Sequence, residues 1–529
     1  MLTCGTSMGE RDNTLPQSFI TLFLYSVKCD NAQTHWAYLD IYVPRSVGHI
    51  WTFMCPDPLG IFGLLCAQTR WAYFDNYVPR PVGYIWTFMC PDLLGIFGHL
   101  CAQTHWAYYL DIKSLYYNMI AGPGNARQYA VVQSFRHAWR GYKEHAWGHD
   151  NLKPVSGMPY DWFSLGLTIV DSLDTAYIMG LNEEFEEGKE WIKEELIFTR
   201  NKDVNFFEVT IRVLGALLTN YHFTQDEMFL DKAKDLGERL MAAFSSPSGI
   251  PYSDVNLGTR TAHAPEWSHY STTAEVTTVQ LEFRELSRAT NNPMFEVSAV
   301  SEKIHHLPKK HGLVPIFINP NTGHFLPHAT ITLGARGDMI LSFFLHGHSR
   351  NVYNPKMDHL TCFLPGTLAL GHANGLPDWH MTMAEELLYT CYLTYAAHPT
   401  FLAPEITHFN LISTTDDMYT KSADAHSLLR PEFAESLWYM YQVTGNTTYQ
   451  DWGWQIYQGF EKYAKVPNGY TSLANVKAEK PVPRDMMESF FMSETLKYLY
   501  LLFSDDRFVI DLNKYVINSE AHPLPIHKS

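Results

Sequence analysis

The sequence predicts a mostly α-helical body beginning near Ala126. Three observations carry this: amphipathic stretches at helical spacing, few strand signals, and an abrupt change of texture from the repeats before it. In Phe207–Tyr221 the apolar residues Phe207, Ile211, Leu214, Leu217, Leu218 and Tyr221 share one face of a 3.6-residue helix. A second helix is expected from Pro431, a favoured first helical residue, to Val443, where Thr444-Gly445 closes it. A third covers about Met486–Phe503, and the best strand candidate is Lys514–Ser519.

The first 120 residues read differently. Residues 32–66 recur as 67–101 with 28 of 35 positions identical, and a third copy starts at Ala102. Stacked repeat arrays need three or more units with regular periodicity. These units show Trp, Cys-Pro-Asp and Val-Pro-Arg punctuation instead, which points to a recent duplication or a misjoined gene model. The run Ala121–Gly124 marks the boundary, giving a repeat region over 1–120 and a second region over 126–529. A length of 529 residues suits several domains or one large helical toroid.

A formal charge of −16 excludes the basic face a nucleic-acid partner needs. An acidic chain with 14% aromatic residues suits neutral polar ligands and hard cations, sugars among them. Six of the eight cysteines precede residue 102; only Cys362 and Cys391 follow, as a lone disulfide or two buried thiols. No run reaches the ~18–20 apolar residues of a membrane span. Ser18–Val27 has the length of a signal-peptide core but lacks a charged lead and a clean cleavage site.

Some motifs fail. Gly5-Thr6-Ser7-Met8-Gly9 matches a nucleophile elbow with no strand before it, and His346-Gly347-His348 has no zinc-type partner set. What stands out is carboxylates on otherwise apolar helices. Glu208 lies one turn before Arg212. Glu432 and Glu435 share a face beside Arg430, Glu494 follows Phe490 by a turn, and Asp338 ends Leu333–Asp338. Any one of these alone reads as a surface carboxylate or a helix-dipole partner.

Together the segments resemble class I α-1,2-mannosidases, glycoside hydrolase family 47. The likeness runs from about Ala126 to Ile526 through HAWRGYKEHAWGHDNLKPVS, LGLTIVDSLDTAYIMGL, IPYSDVNLG, AEVTTVQLEFRELSR, KMDHLTCFLPGTLALG and INSEAHPLPI, in the family's order. The resemblance implies an (α/α)7 barrel plugged by a C-terminal β-hairpin. The implied activity is removal of terminal α-1,2-linked mannose, with inversion, from high-mannose N-glycans during glycoprotein trimming and quality control. It implies a monomer of the endoplasmic-reticulum lumen, held by a type II membrane anchor for which this sequence shows no clear candidate.

Carried over, the resemblance makes Glu208 the general acid, acting through a water, and Glu432 the base, with Asp338 competing or assisting. Arg212, Arg336, His359, Arg430 and Phe490 would bind substrate, Phe490 as the floor under the terminal mannose. Ser519 stands where the family has a Thr that gives a calcium ion its carbonyl and hydroxyl, and Ser keeps both oxygens. Glu435, Glu494 and Glu520 would hold the ion's waters. Cys362 and Cys391 match the family's disulfide. Arg336 resembles the endoplasmic-reticulum subgroup, and the sequon Asn446-Thr447-Thr448 agrees with that compartment.

One departure stands against this. The family has a helix directly after the Asp of this motif, then a connector and another helix. This chain passes from Asp338 through Met339–Pro355 to Lys356, about one helical hairpin short. Either the gene model lacks an exon or the chain is impaired, and the rival expectation is a catalytically impaired glycan-binding protein.

Overall fold

The structure is a computed structural model. It describes the backbone of residues 21–28, 35–42, 49–54 and 86–89, and residues 122–296, 299–309, 313–332, 355–410 and 417–527. The chain divides into two compact units, Met1–Tyr117 and Asn118–Ser529.

In the first unit, β1 (Thr21–Lys28), β2 (His35–Tyr42) and β3 (His49–Met54) form an antiparallel meander, and β4 (Trp86–Met89) runs parallel to β3. Trp51 pairs with Trp86 and Phe53 with Phe88, so over residues 51–54 each residue lies beside its duplicate in 86–89.

The second unit is a ring of paired helices. They are α1 (Ala126–His145), α2 (Leu167–Ile178), α3 (Asn182–Glu194), α4 (Phe206–Val209, Thr210–Leu214 and Gly215–Thr224 in succession) and α5 (Glu227–Leu240). Next come α6 (Gln280–Thr290, entered through the turn Thr273–Thr278) and α7 (Ala299–His306). The ring continues with α8 (Leu364–Ala373), α9 (Trp379–Ala396), α10 (Glu432–Thr444), α11 (Thr448–Gly459) and α12 (Leu496–Leu502, preceded by a π turn Phe491–Thr495).

Neighbours follow the sequence: α2 packs on α3 and α4, α4 on α5 and α6, α8 on α9 and α10, α10 on α11 and α12, and α12 on α1 and α2. The described residues supply six helical pairs of the expected (α/α)7 barrel, which the sequence already implied to be about one hairpin short. Residues 333–354, between α7 and α8, lie outside the described residues.

Apolar periodicity explains the rods. Phe433, Leu437, Trp438 and Met440 of α10 are all buried. Its end is set by Gly445, whose φ of 71° is the left-handed conformation that stops a helix. The expected 486–503 helix starts later than its apolar pattern suggests. Met487 instead donates its amide to Leu152 O at 2.9 Å, bridging the segment to another strand before the helix can begin.

Candidate active site

The C-terminal hairpin, Tyr515–Ile517 against Pro523–Pro525, carries its turn into the barrel. Asn518 shapes that turn. Its Oδ1 accepts the amides of Glu520 (3.0 Å) and His522 (2.8 Å), while its Nδ2 donates to Ile211 O and Glu282 Oε1, each at 2.8 Å. Entry needs Gly215: a Cβ there would stand 2.5 Å from Asn518 Nδ2. Around the turn lies a cavity of about 630 Å³, lined by residues including Glu208, Arg212, Arg430, Glu432, Glu435, Phe490, Glu494, Ser519 and Glu520. Its other wall is apolar, with Leu281, Leu360, Phe363 and Leu370.

Glu208 stands at the head of α4, where Asn205 accepts its amide at 2.9 Å as the helix cap. The helix then widens into a π turn, a feature common at functional sites. Arg212 sits on that turn. Its Nε donates to Glu208 Oε2 at 2.9 Å, and its Nη1 to Glu520 Oε2 at 2.6 Å and Asp171 Oδ2 at 3.4 Å. Burial opposes the Arg212 charge, but the facing carboxylates Glu520, Glu208 and Asp171 hold its pKa well above the ordinary value.

Glu432 begins α10 and is held from two sides. His359 Nδ1 lies 2.8 Å from Glu432 Oε2, and Arg430 Nη1 lies 3.7 Å from Oε1. Burial pushes the Glu432 carboxyl up; the bond to His359 and the charges of His359 and Arg430 more than reverse this, leaving it below its ordinary value. Arg430 is itself fixed through Nε to both oxygens of Glu405, at 2.7 and 3.0 Å. The Phe490 ring lies close to both guanidinium groups, its centroid 6.0 Å from Arg212 Cζ and 5.7 Å from Arg430 Cζ.

Beside these stand four carboxyls, with Glu282, Glu494 and Glu520 buried and Glu435 half-buried. Burial and the neighbouring Glu432 push Glu435 up to about 8, and burial pushes Glu282 up to about 7 and Glu494 and Glu520 well above the carboxylate range. Glu282 Oε2 is buried with no hydrogen-bond partner among the described residues. Such a set is costly to ionise without a cation, so its chemistry fits a hard, oxygen-seeking ion. Among the described residues no three His, Cys, Asp or Glu converge closely enough to grip a metal directly.

Most of the expected site residues thus share one cavity. Asp338 and Arg336 lie outside the described residues, as do Gly5-Thr6-Ser7-Met8-Gly9 and His346-Gly347-His348. His359, expected against the substrate, instead stands behind Glu432: it is buried, and its second nitrogen is taken by Tyr395 Oη at 2.7 Å. Cys362 and Cys391 are bonded, with Cα atoms 6.0 Å apart. That bridge joins the turn carrying His359 to α9, which carries Tyr395.

Several residues were missed. Asp171 and Asp174, buried in α2, clamp His522 between them at 3.2 and 3.1 Å, and Lys497 Nζ reaches Asp174 Oδ2 at 2.7 Å. Two carboxylates three apart in an otherwise apolar helix were the available signal. Glu405 and Tyr395 gave none.

The profile of glycosyl hydrolase family 47 matches residues 134–349 and 340–526. The two pieces meet in the stretch after Asp338. The chain is 50% identical over 453 residues to the Mus musculus endoplasmic reticulum mannosyl-oligosaccharide 1,2-alpha-mannosidase, covering 76% of this chain and 68% of that protein. The protein of the same name from Schizosaccharomyces pombe is 37% identical over 470 residues, covering 76% of this chain and 90% of that one. Among solved structures, an alpha-1,2-mannosidase from Trichoderma reesei superposes with a TM-score of 0.70 at 24% identity, covering 77% of this chain and 100% of that chain. That likeness speaks to the fold.

Proposed function

The chain belongs to glycosyl hydrolase family 47, and on that premise we propose that it removes terminal α-1,2-linked mannose from high-mannose N-glycans with inversion and with calcium. The observation that carries this reading is the pair Glu208 and Glu432, on different helices but lining one cavity, each held by its own arginine.

In the reaction, Glu432 takes a proton from a water as that water attacks the anomeric carbon. Glu208 supplies a proton, through a second water, to the departing glycosidic oxygen. The products are free mannose and the shortened glycan, and inversion requires acid and base to flank the sugar roughly 6.5–9.5 Å apart. The lowered pKa of Glu432 suits a base, with Asp338 an assisting or competing one. Arg212 and Arg430 orient the two carboxylates. Phe490 offers a ring face to the terminal mannose, and Arg336 completes the substrate contacts. Ser519 would hold calcium, with Glu435, Glu494 and Glu520 bonding its waters. When bound, the ion grips sugar hydroxyls and favours a distorted ring.

Relatives named for the endoplasmic reticulum support that compartment for the activity, and a monomer with a type II anchor is the form proposed with it. Among the described residues no helix is long and apolar enough to cross a membrane. Asn446 of the sequon is exposed in the turn after α10, open to glycosylation in that compartment.

A second reading has its own support. On that reading the chain binds glycans without turnover, and its support is the family match in two pieces that overlap in the shortened stretch after Asp338. Incubation of a pyridylaminated nine-mannose glycan with calcium separates the two. Mannose release abolished by chelator and by Glu432→Gln supports the enzyme; glycan capture without release supports the binder.

A further inference from the structure

We propose that Lys497 is a positioning residue for the cation-binding turn of the C-terminal hairpin, acting through the carbonyl of Ala521. The inference rests on the calcium reading above. Lys497 leaves α12 toward the hairpin with a side chain only 1% exposed. Its Nζ donates to Asp174 Oδ2 and to Ala521 O, each at 2.7 Å.

Ala521 has a φ of 61°, in the left-handed region that a residue with a Cβ enters only when its surroundings hold it there. The chain reverses at this point, two residues after Ser519. A ligand that gives both a carbonyl and a hydroxyl to one ion needs its peptide plane fixed. Asn518 fixes one end of the turn, through Ile211 O and Glu282, and the ammonium of Lys497 fixes the other.

Asp174 Oδ2 takes one of the three N–H donors of this buried ammonium, and the Ala521 carbonyl takes a second. Here one ammonium ties a barrel helix, α2, to the hairpin tip. The contact extends the line of buried charges that runs from Asp174 through His522 and Asp171 to Arg212, and from there to Glu208 and Glu520. Lys497 does not line the cavity, so its effect reaches the site through the turn.

The test is calcium binding to the full chain, by isothermal titration and by the calcium-induced rise in Tm. It compares wild type, Lys497→Met and the double variant Lys497→Met with Asp174→Asn. Lys497→Met should weaken calcium binding on the order of tenfold to a hundredfold, the range seen when support behind metal ligands is removed. The double variant leaves no unpaired buried carboxylate, so it should regain thermal stability. It should nevertheless stay weak for calcium, because the Ala521 carbonyl still lacks its donor. If Lys497→Met does not fold, the double variant carries the test. Wild-type calcium affinity in the double variant, or in Lys497→Met itself, overturns the proposal by reducing Lys497 to a charge-balancing residue. A wild-type chain that binds no calcium removes the calcium reading first, and this inference with it.

Discussion

His359 bonds Glu432 through Nδ1 and Tyr395 through Nε2, at 2.8 and 2.7 Å, so both ring nitrogens are spent on fixing one carboxylate. This holds the Glu432 carboxyl below its ordinary value, where it is ionised and able to act as a base. A carboxyl lowered in the folded state contributes stability above its unfolded value, and loses it as pH falls through the folded one. Activity that needs the ionised form follows the same window. His359→Ala should move the acid limb of kcat/KM to higher pH and lower kcat by up to about a hundredfold. A pH–rate profile checks this, and an unmoved acid limb would show that Glu432 is not the titrating base.

Arg430 depends on Glu405. Glu405→Gln leaves a mostly buried guanidinium with Glu432 alone, 3.7 Å away. Allowing for partial exposure, the loss should be about 2–3 kcal/mol of stability in urea unfolding. Unchanged stability would mean that the pair contributes nothing to holding Arg430.

The bond between Cys362 and Cys391 closes a loop of 29 residues around the turn that carries His359. Replacing both with Ser should cost about 3–4 kcal/mol by restoring freedom to the unfolded chain. Reductant should destabilise the wild type and leave the double Ser variant unaffected; equal sensitivity in the two would remove the bridge from the explanation.

Among the described residues, those lining the cavity belong to the second unit. A chain beginning at Ala126 should therefore keep the activity and Tm of the full chain. Loss of both would give the repeats a structural role.

Much of this site was legible in the sequence, for separable reasons. The periodicity of 207–221 gave α4, and Gly445 gave the end of α10. The wording around Glu208, Glu432 and Ser519 carried the family and its barrel. The support behind them was not legible. His359 meets Glu432 across 73 residues of sequence and Arg430 meets Glu405 across 25, distances over which spacing says nothing. Asp171 and Asp174 left a signal in their spacing, but their partners did not: His522 and Lys497 meet Asp174 across 348 and 323 residues of sequence. The β1–β4 strands were hidden too: β1 lies ahead of the repeats, and Pro and Gly crowd the stretches between β2, β3 and β4.

The most direct test follows the anomeric proton of released mannose by NMR while the full chain, with calcium, digests a nine-mannose N-glycan. An inverting α-1,2-mannosidase built on Glu208 and Glu432 should release β-mannose first, and Glu432→Gln should release none. No mannose from the wild type, or α-mannose as the first product, would contradict that mechanism.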